Sequence, residues 1–186
     1  MKKEIRILGI DDGCFTFFSK SVLVVGVVMR GNCEIDGILS CSIKKDGFDS
    51  TEKLIHLVRN SKHFGQLRAI MINGSTLGGF NVVDINALSK EAGLPVISVF
   101  RKKPNDQKIL KTLYRFPQGR KKYLVFKKAG EVHEFKGIYF QVSSADKNKT
   151  QEIINKSLLK SKIPEPVRVA HLIASGVTAG KSTKRV

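Results

Sequence analysis

Acidic residues are scarce in this sequence. The 186 residues include 16 aspartates and glutamates against 33 lysines and arginines, which gives a formal net charge of +17. A chain this basic is attracted to polyanions, to nucleic acid before anionic membranes, and we expect nucleic acid rather than a membrane as its partner. A cationic surface that only maintains solubility is the alternative. The few carboxylates in this positive field are therefore candidates for function or for helix capping.

Cysteine and histidine patterns typical of metal sites are also missing. The three cysteines, Cys14, Cys33 and Cys41, include no Cys-x-x-Cys pair, so neither a disulfide framework nor a zinc site is predicted, and we interpret them as packing residues. The histidines lack the spacing that places two ligands on one helix face, and all four are interpreted as structural: His56, His63, His133 and His171.

Long apolar runs are absent. The longest, residues 22–28, is too short to span a membrane, and the first residues lack the apolar core of a secretory signal, so we expect a cytoplasmic protein. Length and composition indicate one domain over residues 1–186, with a flexible basic tail at 176–186. The oligomeric state is left open.

Hydrophobic periodicity predicts the element order. Strands are predicted at 6–12, 21–29, 33–42, 67–72 and 96–100, with helices at about 50–59 and 82–92. Asp49 and Glu52 have the spacing of a capping box for the first helix, and Asn81 is the predicted cap of the second, which places Asp84 in its first turn. Short turns make the first three strands antiparallel, and helical crossovers make the later ones parallel to the first. The predicted fold class is therefore α/β, a mixed sheet flanked by helices.

The second half is more basic and less regular. Residues 122–128, 131–135 and 138–142 are interpreted as strands or strand-like cover, followed by a helix at about 147–159. Pro164-Glu165-Pro166 opens a last helix, from Val167 to about Ala174.

Two acids end the first strand, in Gly9-Ile10-Asp11-Asp12-Gly13. An apolar run that ends at adjacent carboxylates is typical of a buried strand that places acidic side chains at the edge of a sheet, where a divalent cation can be held. Because the fourth predicted strand lies parallel to the first and ends at the same edge, Asn73 is predicted to be a neighbour of Asp11.

Several segments, in the same order, resemble endonuclease V, a family with the ribonuclease H-like fold. Gly9-Ile10-Asp11 resembles its Gly-Val-Asp motif, 70–74 its next strand, 92–99 its following helix end and strand, and 163–172 its carboxyl-terminal helix. Together with Gly79-Phe80-Asn81-Val82-Val83-Asp84, these segments are similar to the archaeal branch of relatives called endonuclease dU.

This resemblance implies a nuclease that cuts DNA near a deaminated base with the help of Mg²⁺ or Mn²⁺, two such ions about 4 Å apart activating water and stabilising the leaving oxygen. Asp11 is then the shared metal ligand, and Asp12 is a second ligand or an orienting partner. Glu52 is preferred over Asp49 as the next acid.

The resemblance also calls for aspartate where this chain has Asn73, and a neutral amide binds a hard cation less strongly. Asp84 and Asp146 are the candidates to substitute as metal ligands. Lys102 or Lys103 matches a family lysine that contacts the scissile phosphate. The basic residues predicted to bind nucleic acid are Arg101, Lys102, Lys103, Arg120, Lys121 and Lys122, with Tyr114, Phe116 and Tyr123 as stacking or core side chains.

Three functions remain open at this stage. The first is an endonuclease acting on DNA that contains deoxyuridine or deoxyinosine, or on structured or single-stranded nucleic acid, with Asp11, Glu52, Asn73 and Lys103 as catalytic residues; DNA and RNA are both left open. The second is a catalytically weakened nucleic-acid-binding protein of the same fold. The third, suggested by the Gly-Ile-Asp-Asp-Gly segment, is an ATPase related to actin and hexokinase, for which the chain is short.

Overall fold

The computed structural model describes residues 5–182. Nine strands, six α-helices and a short 3-10 helix (Phe64–Gln66) lie within that range. The strands are β1 (Arg6–Asp12), β2 (Ser21–Arg30), β3 (Glu34–Lys44), β4 (Leu67–Asn73), β5 (Thr76–Leu77), β6 (Asn81–Val82), β7 (Val96–Phe100), β8 (His133–Phe135) and β9 (Ile138–Ser143). The helices are α1 (Ser50–Arg59), α2 (Ile85–Ala92), α3 (Asp106–Leu113), α4 (Gly119–Lys128), α5 (Lys147–Ser157) and α6 (Glu165–Ala179).

Seven strands form one mixed sheet in the order β3-β2-β1-β4-β7-β9-β8. The first three are antiparallel, β4 runs parallel to β1, and β7 runs parallel to β4. β9 returns antiparallel to β7, and β8 pairs antiparallel with β9. The predicted mixed sheet and the predicted parallel pairing of the first and fourth strands are both confirmed.

Helices cover both faces of this sheet. On one face, Leu8 and Ile10 of β1 belong to a buried cluster with side chains of α1 and α2. On the other face, Ile7 belongs to a second cluster that includes Ile154 of α5 and Val167 of α6. Each such buried side chain contributes roughly 1.5–3 kcal/mol. β1 is therefore apolar on both faces because it lies at the centre of the sheet.

Glycine lets α6 lie directly against β1. A Cβ atom built on Gly9 would stand 2.1 Å from the backbone carbon of Pro166, and one on Gly13 would stand 2.6 Å from the methyl carbon of Thr178. Both distances are far below van der Waals contact. A side chain at Gly9 would displace the backbone of α6, whereas one at Gly13 would require the Thr178 side chain to shift. Gly9 thus allows α6 to pack directly on β1 next to the acid pair.

The structure corrects the second half of the chain. Residues 122–128, predicted as a strand, belong to α4, whose buried residues Gly119, Lys122 and Phe126 follow helical spacing. α3 is a helix that the sequence analysis did not predict. The strand predicted at 131–135 is only β8. Residues 176–179 of the predicted tail form the end of α6, and residues 183–186 of that tail lie outside the described range.

One smaller interpretation also changes. Cys14 and Cys33 are exposed rather than packed, and only Cys41 is partly buried. No helix between residues 5 and 182 is long and apolar enough to cross a bilayer.

Candidate active site

Asp11 lies at the centre of the candidate site. It occupies the penultimate position of β1 and is only 2% exposed. Its Oδ2 accepts a hydrogen bond from the Asn73 amide nitrogen at 3.0 Å and lies 2.8 Å from Nδ1 of His171. The predicted contact between Asp11 and Asn73 is thus confirmed. A carboxylate oxygen accepts from the NH₂ group of Asn73, and it accepts from His171 in the tautomer that carries a proton on Nδ1.

His171, which the sequence analysis interprets as structural, contacts Asp11 of the candidate site. The residue lies on α6, 160 positions away from Asp11 in the chain. No spacing pattern joins two residues so far apart. The available signal was its place in the 163–172 segment, whose family resemblance had been used for the fold alone. The close packing of α6 on Gly9 brings this ring to the end of β1.

Asp12 completes an acidic pair with Asp11. Its Oδ2 accepts a hydrogen bond from the Gly78 backbone nitrogen at 2.9 Å, which ties the loop after β5 to the end of β1. Burial, together with the negative charge of Asp11, raises the pKa of Asp12 to about 7. Two adjacent carboxylates with so little solvent oppose each other's ionisation. A bound cation would remove this opposition.

The other predicted acids make contacts of their own. Asp84 does not lie in the first turn of α2 but is its N-cap, accepting hydrogen bonds from the backbone nitrogens of Asn86 and Ala87, while the predicted cap Asn81 lies in β6. Asp146 caps α5 in the same way through Lys149. Both carboxylates are explained by helix capping.

The predicted capping box at α1 is not formed. The Asp49 side chain makes no cap hydrogen bond and instead accepts one from the Asn81 amide at 2.7 Å. Glu52 is exposed and lines a surface cleft with His56, Arg59 and Asn60. Among residues 5–182, no three histidine, cysteine, aspartate or glutamate side chains form a group that could hold a metal ion. The structure thus brings Asp11 and Asp12 together and does not gather Glu52, Asp84 and Asp146 around them.

Five of the six residues predicted to bind nucleic acid are exposed. Arg101, Lys102 and Lys103 are exposed directly after β7, whose Val99 pairs with Asn73, so they follow the sheet edge that holds the acids. Arg120 and Lys121 are exposed on α4.

Lys122 is a correction, because its side chain is only 1% exposed and does not reach the protein surface. Its Nζ donates to the Asp46 backbone oxygen at 2.6 Å, and burial lowers the pKa of this ammonium group. The Asp46 nitrogen in turn donates to the Gly78 oxygen at 2.8 Å. Lys122 therefore supports the loop that contacts Asp12 and is not available for a phosphate.

Between residues 5 and 182, two carboxylates rather than a group of three are the donors that this edge of the sheet offers to a hard divalent cation. Mg²⁺ is commonly held by one or two carboxylates and completes its coordination with waters and substrate phosphate oxygens. Asp11 and Asp12 supply such a pair at an edge that basic residues follow. Asn73 and His171 both contact Oδ2 of Asp11.

Comparison with known proteins identifies the family of this chain. The family model of Endonuclease dU matches residues 3–178. A UPF0215 protein of Methanosarcina mazei is 44% identical over 188 aligned positions, which cover 98% of this chain and 95% of that protein. A protein of unknown function from Archaeoglobus fulgidus has a crystal structure with a TM-score of 0.87 and 37% identity, covering 93% of this chain and 98% of the other.

A more distant likeness concerns the fold. Endonuclease V of Ciona intestinalis, solved in complex with a 23mer DNA containing an inosine followed by a ribo-adenosine, has a TM-score of 0.57 at 12% identity, covering 90% of this chain and 83% of that one. The mixed sheet described above is accordingly of the ribonuclease H-like type. The chain belongs to the Endonuclease dU family, an archaeal family similar in fold to endonuclease V.

Proposed function

We propose that this protein is a metal-dependent endonuclease that hydrolyses a phosphodiester bond in DNA containing deaminated bases, deoxyuridine or deoxyinosine. The observation that carries the proposal is the Asp11 carboxylate, buried at the end of β1 beside Asp12 and contacted by side chains from β4 and α6. The family name and the inosine-containing DNA bound to the endonuclease V relative support the substrate class.

In this proposal Asp11 and Asp12 hold the cation. A divalent ion bound there would polarise the phosphate and supply hydroxide from water at neutral pH. Asn73 Nδ2 and His171 Nδ1 keep the Asp11 carboxylate in one orientation through bonds of 3.0 and 2.8 Å to the same oxygen. Orientation of this kind is lost when the outer partner is removed, at a typical cost of 10–100-fold in activity.

Exposed cations complete the proposed substrate site. Arg101, Lys102 and Lys103 follow β7 at the edge that holds Asp11, and Lys103 is the proposed contact to the scissile phosphate. Arg120 and Lys121 extend the same binding surface. Each phosphate neutralised releases counterions, so we expect affinity to fall steeply as salt rises.

The test uses labelled oligonucleotides that carry deoxyuridine, deoxyinosine or neither base, incubated with Mg²⁺ or with EDTA. We expect cleavage near the lesion only with Mg²⁺, and a loss of about a thousandfold in Asp11→Asn, the size of effect seen when a main electrostatic stabiliser is removed. Asp36→Asn is the matched control, because Asp36 lies in the same sheet but pairs with Arg6 and Arg30. Absence of metal-dependent cleavage, or full activity of Asp11→Asn, would refute the proposal.

The second candidate is a nucleic-acid-binding protein with weakened catalysis. The orientation of Asn73 favours it, because the amide donates its N–H to Asp11 rather than offering a further anionic oxygen to a cation. This candidate predicts salt-sensitive binding that survives Asp11→Asn, together with little or no cleavage by the unmodified protein.

A further inference from the structure

Two phenylalanines at the tip of the β1–β2 connection stand in solvent. Phe17 is 86% exposed and Phe18 is 88% exposed, the highest values among the exposed large apolar residues between positions 5 and 182. Single exposed apolar side chains are ordinary on protein surfaces. Two consecutive rings forgo the stabilisation that burial gives, and an exposed apolar patch of this kind is typical of an interaction site.

The loop that carries the rings is held in one conformation. The Thr16 nitrogen donates to Ser19 Oγ at 2.9 Å, and the Ser19 nitrogen donates to the Thr16 oxygen at 3.2 Å, closing a tight turn. Lys45 Nζ donates to the Phe17 oxygen at 2.6 Å and lies 4.9 Å from the centre of the Phe17 ring. The two rings meet edge to face, with centroids 5.6 Å apart. Little ordering is therefore needed before the rings bind a partner.

The tip lies at the same end of the sheet as the acid pair. β1 ends at Asp12, and the Gly13 nitrogen still donates to the Leu23 oxygen, so the two strands continue outward together beyond the acids. Phe17 follows Asp11 by only six residues, a chain length that spans at most about 20 Å. At about 3.4 Å per nucleotide in a duplex, this span corresponds to at most about six nucleotides between a phosphate at Asp11 and the rings.

Cations surround the tip. Lys20, just before β2, and Lys44, at the end of β3, are both exposed, and Lys45 is already bound to the loop. Exposed aromatic faces next to lysines are the combination that binds single-stranded nucleic acid, because every base has a face to stack and every nucleotide has a phosphate to neutralise.

We propose that Phe17 and Phe18 form a stacking platform for unpaired bases of the strand that lies at Asp11. The platform holds that strand single-stranded next to the acids and binds bases without preference for sequence. This inference rests on the proposed function for one point, that a nucleic acid strand occupies this edge of the sheet.

The test measures binding in EDTA, where no metal-dependent cleavage occurs. Fluorescence anisotropy of a labelled single-stranded oligonucleotide is compared with that of a blunt duplex of the same sequence. For Phe17→Ala/Phe18→Ala we expect at least about tenfold weaker binding of the single strand, the loss typical of one lost base–aromatic stack. The control is Ile35→Ala/Ile38→Ala, which removes two exposed apolar side chains from β3 and leaves the affinity unchanged.

Two further variants separate stacking from general apolar contact. Phe17→Tyr/Phe18→Tyr keeps the aromatic faces and is expected to bind like the unmodified protein, whereas Phe17→Leu/Phe18→Leu keeps the apolar surface and is expected to bind like the alanine variant. Full single-strand affinity in the leucine or alanine variant would overturn the proposal. So would sedimentation showing that the rings hold two copies of the chain together while DNA affinity does not depend on them.

Failure of this inference can be told apart from failure of the proposed function. Ring-dependent binding of single strands by a protein that never cleaves would refute the nuclease and support the platform. Metal-dependent cleavage with ring-independent binding would support the nuclease and refute the platform.

Discussion

Asp11 lies at the end of β1 and Asp146 follows β9 of the same sheet, yet their surroundings differ. Asp146 comes after β9, is exposed and accepts a hydrogen bond from the Lys149 backbone nitrogen three residues later. Asp11 is buried and contacts side chains that lie 62 and 160 residues away, from a strand and a helix. The first contact is local and caps a helix, whereas the second set converges on one carboxylate from distant parts of the chain.

This difference separates structural from functional carboxylates better than position in the sequence does. A cap satisfies backbone N–H groups that every helix leaves free, so an aspartate before a helix is accounted for without a ligand. The side-chain contacts to buried Asp11 do not cap a helix or close a turn. They lie beside Asp12, whose pKa is raised. Such an arrangement is typical of a site that binds a charged group.

Among the substitutions that test this comparison, Gly9→Ala is expected to have the largest effect, because it changes both stability and the contact between His171 and Asp11. The new methyl group would fall 2.1 Å from the Pro166 backbone, so α6 must move and carry His171 away from Asp11. We expect the free energy of unfolding to fall by about 3 kcal/mol, because overpacking against backbone allows little relaxation. Thermal unfolding measures the loss. Gly65→Ala, where a Cβ has nothing within 4 Å, is the control, and equal stability of the two variants would contradict the described packing.

His171→Ala tests the contact with Asp11 alone. We expect cleavage to fall about 10–100-fold, the effect of removing a hydrogen-bond partner of a metal ligand, with modest change in stability because His171 is only partly buried. Single-turnover cleavage with saturating Mg²⁺ gives the rate. His133→Ala provides the comparison, since that ring packs against Phe140 on β8 and β9. Unchanged cleavage would show that His171 is structural, as the sequence alone suggested.

Asn73→Asp sharpens the choice between a full and a weakened nuclease. A third carboxylate beside Asp11 and Asp12 adds repulsion without metal and attraction with it. We therefore expect the melting temperature to fall by a few degrees in EDTA and cleavage at limiting Mg²⁺ to rise about tenfold. If the unmodified protein already cleaves DNA and this substitution changes nothing, Asn73 is not a deficient ligand.

The sequence predicted the centre of the sheet well because β1, β2, β4 and β7 are apolar runs whose type follows from local pattern. It did not predict α4, because a short Tyr-Leu-Val-Phe run between lysines has the apolar content of a strand. Lys122 was assigned to the surface because its partner, the Asp46 carbonyl, is 76 residues away. Asp11 and Asn73 were paired correctly since parallel strands end at one edge, whereas His171 depends on how α6 packs across β1.

Asp84→Ala and Asp146→Ala are expected to have the smallest effects. They test whether the two capping carboxylates serve stability alone. Each removes a helix cap, so we expect a loss of about 1 kcal/mol in stability, or roughly 2–4 °C in melting temperature for a chain of this size. Cleavage should stay within about twofold of the unmodified protein, because neither carboxylate belongs to a group that could hold a metal ion in residues 5–182. If either variant instead lost cleavage at full stability, that carboxylate would move to the acid pair when substrate binds, and capping would describe only the free protein.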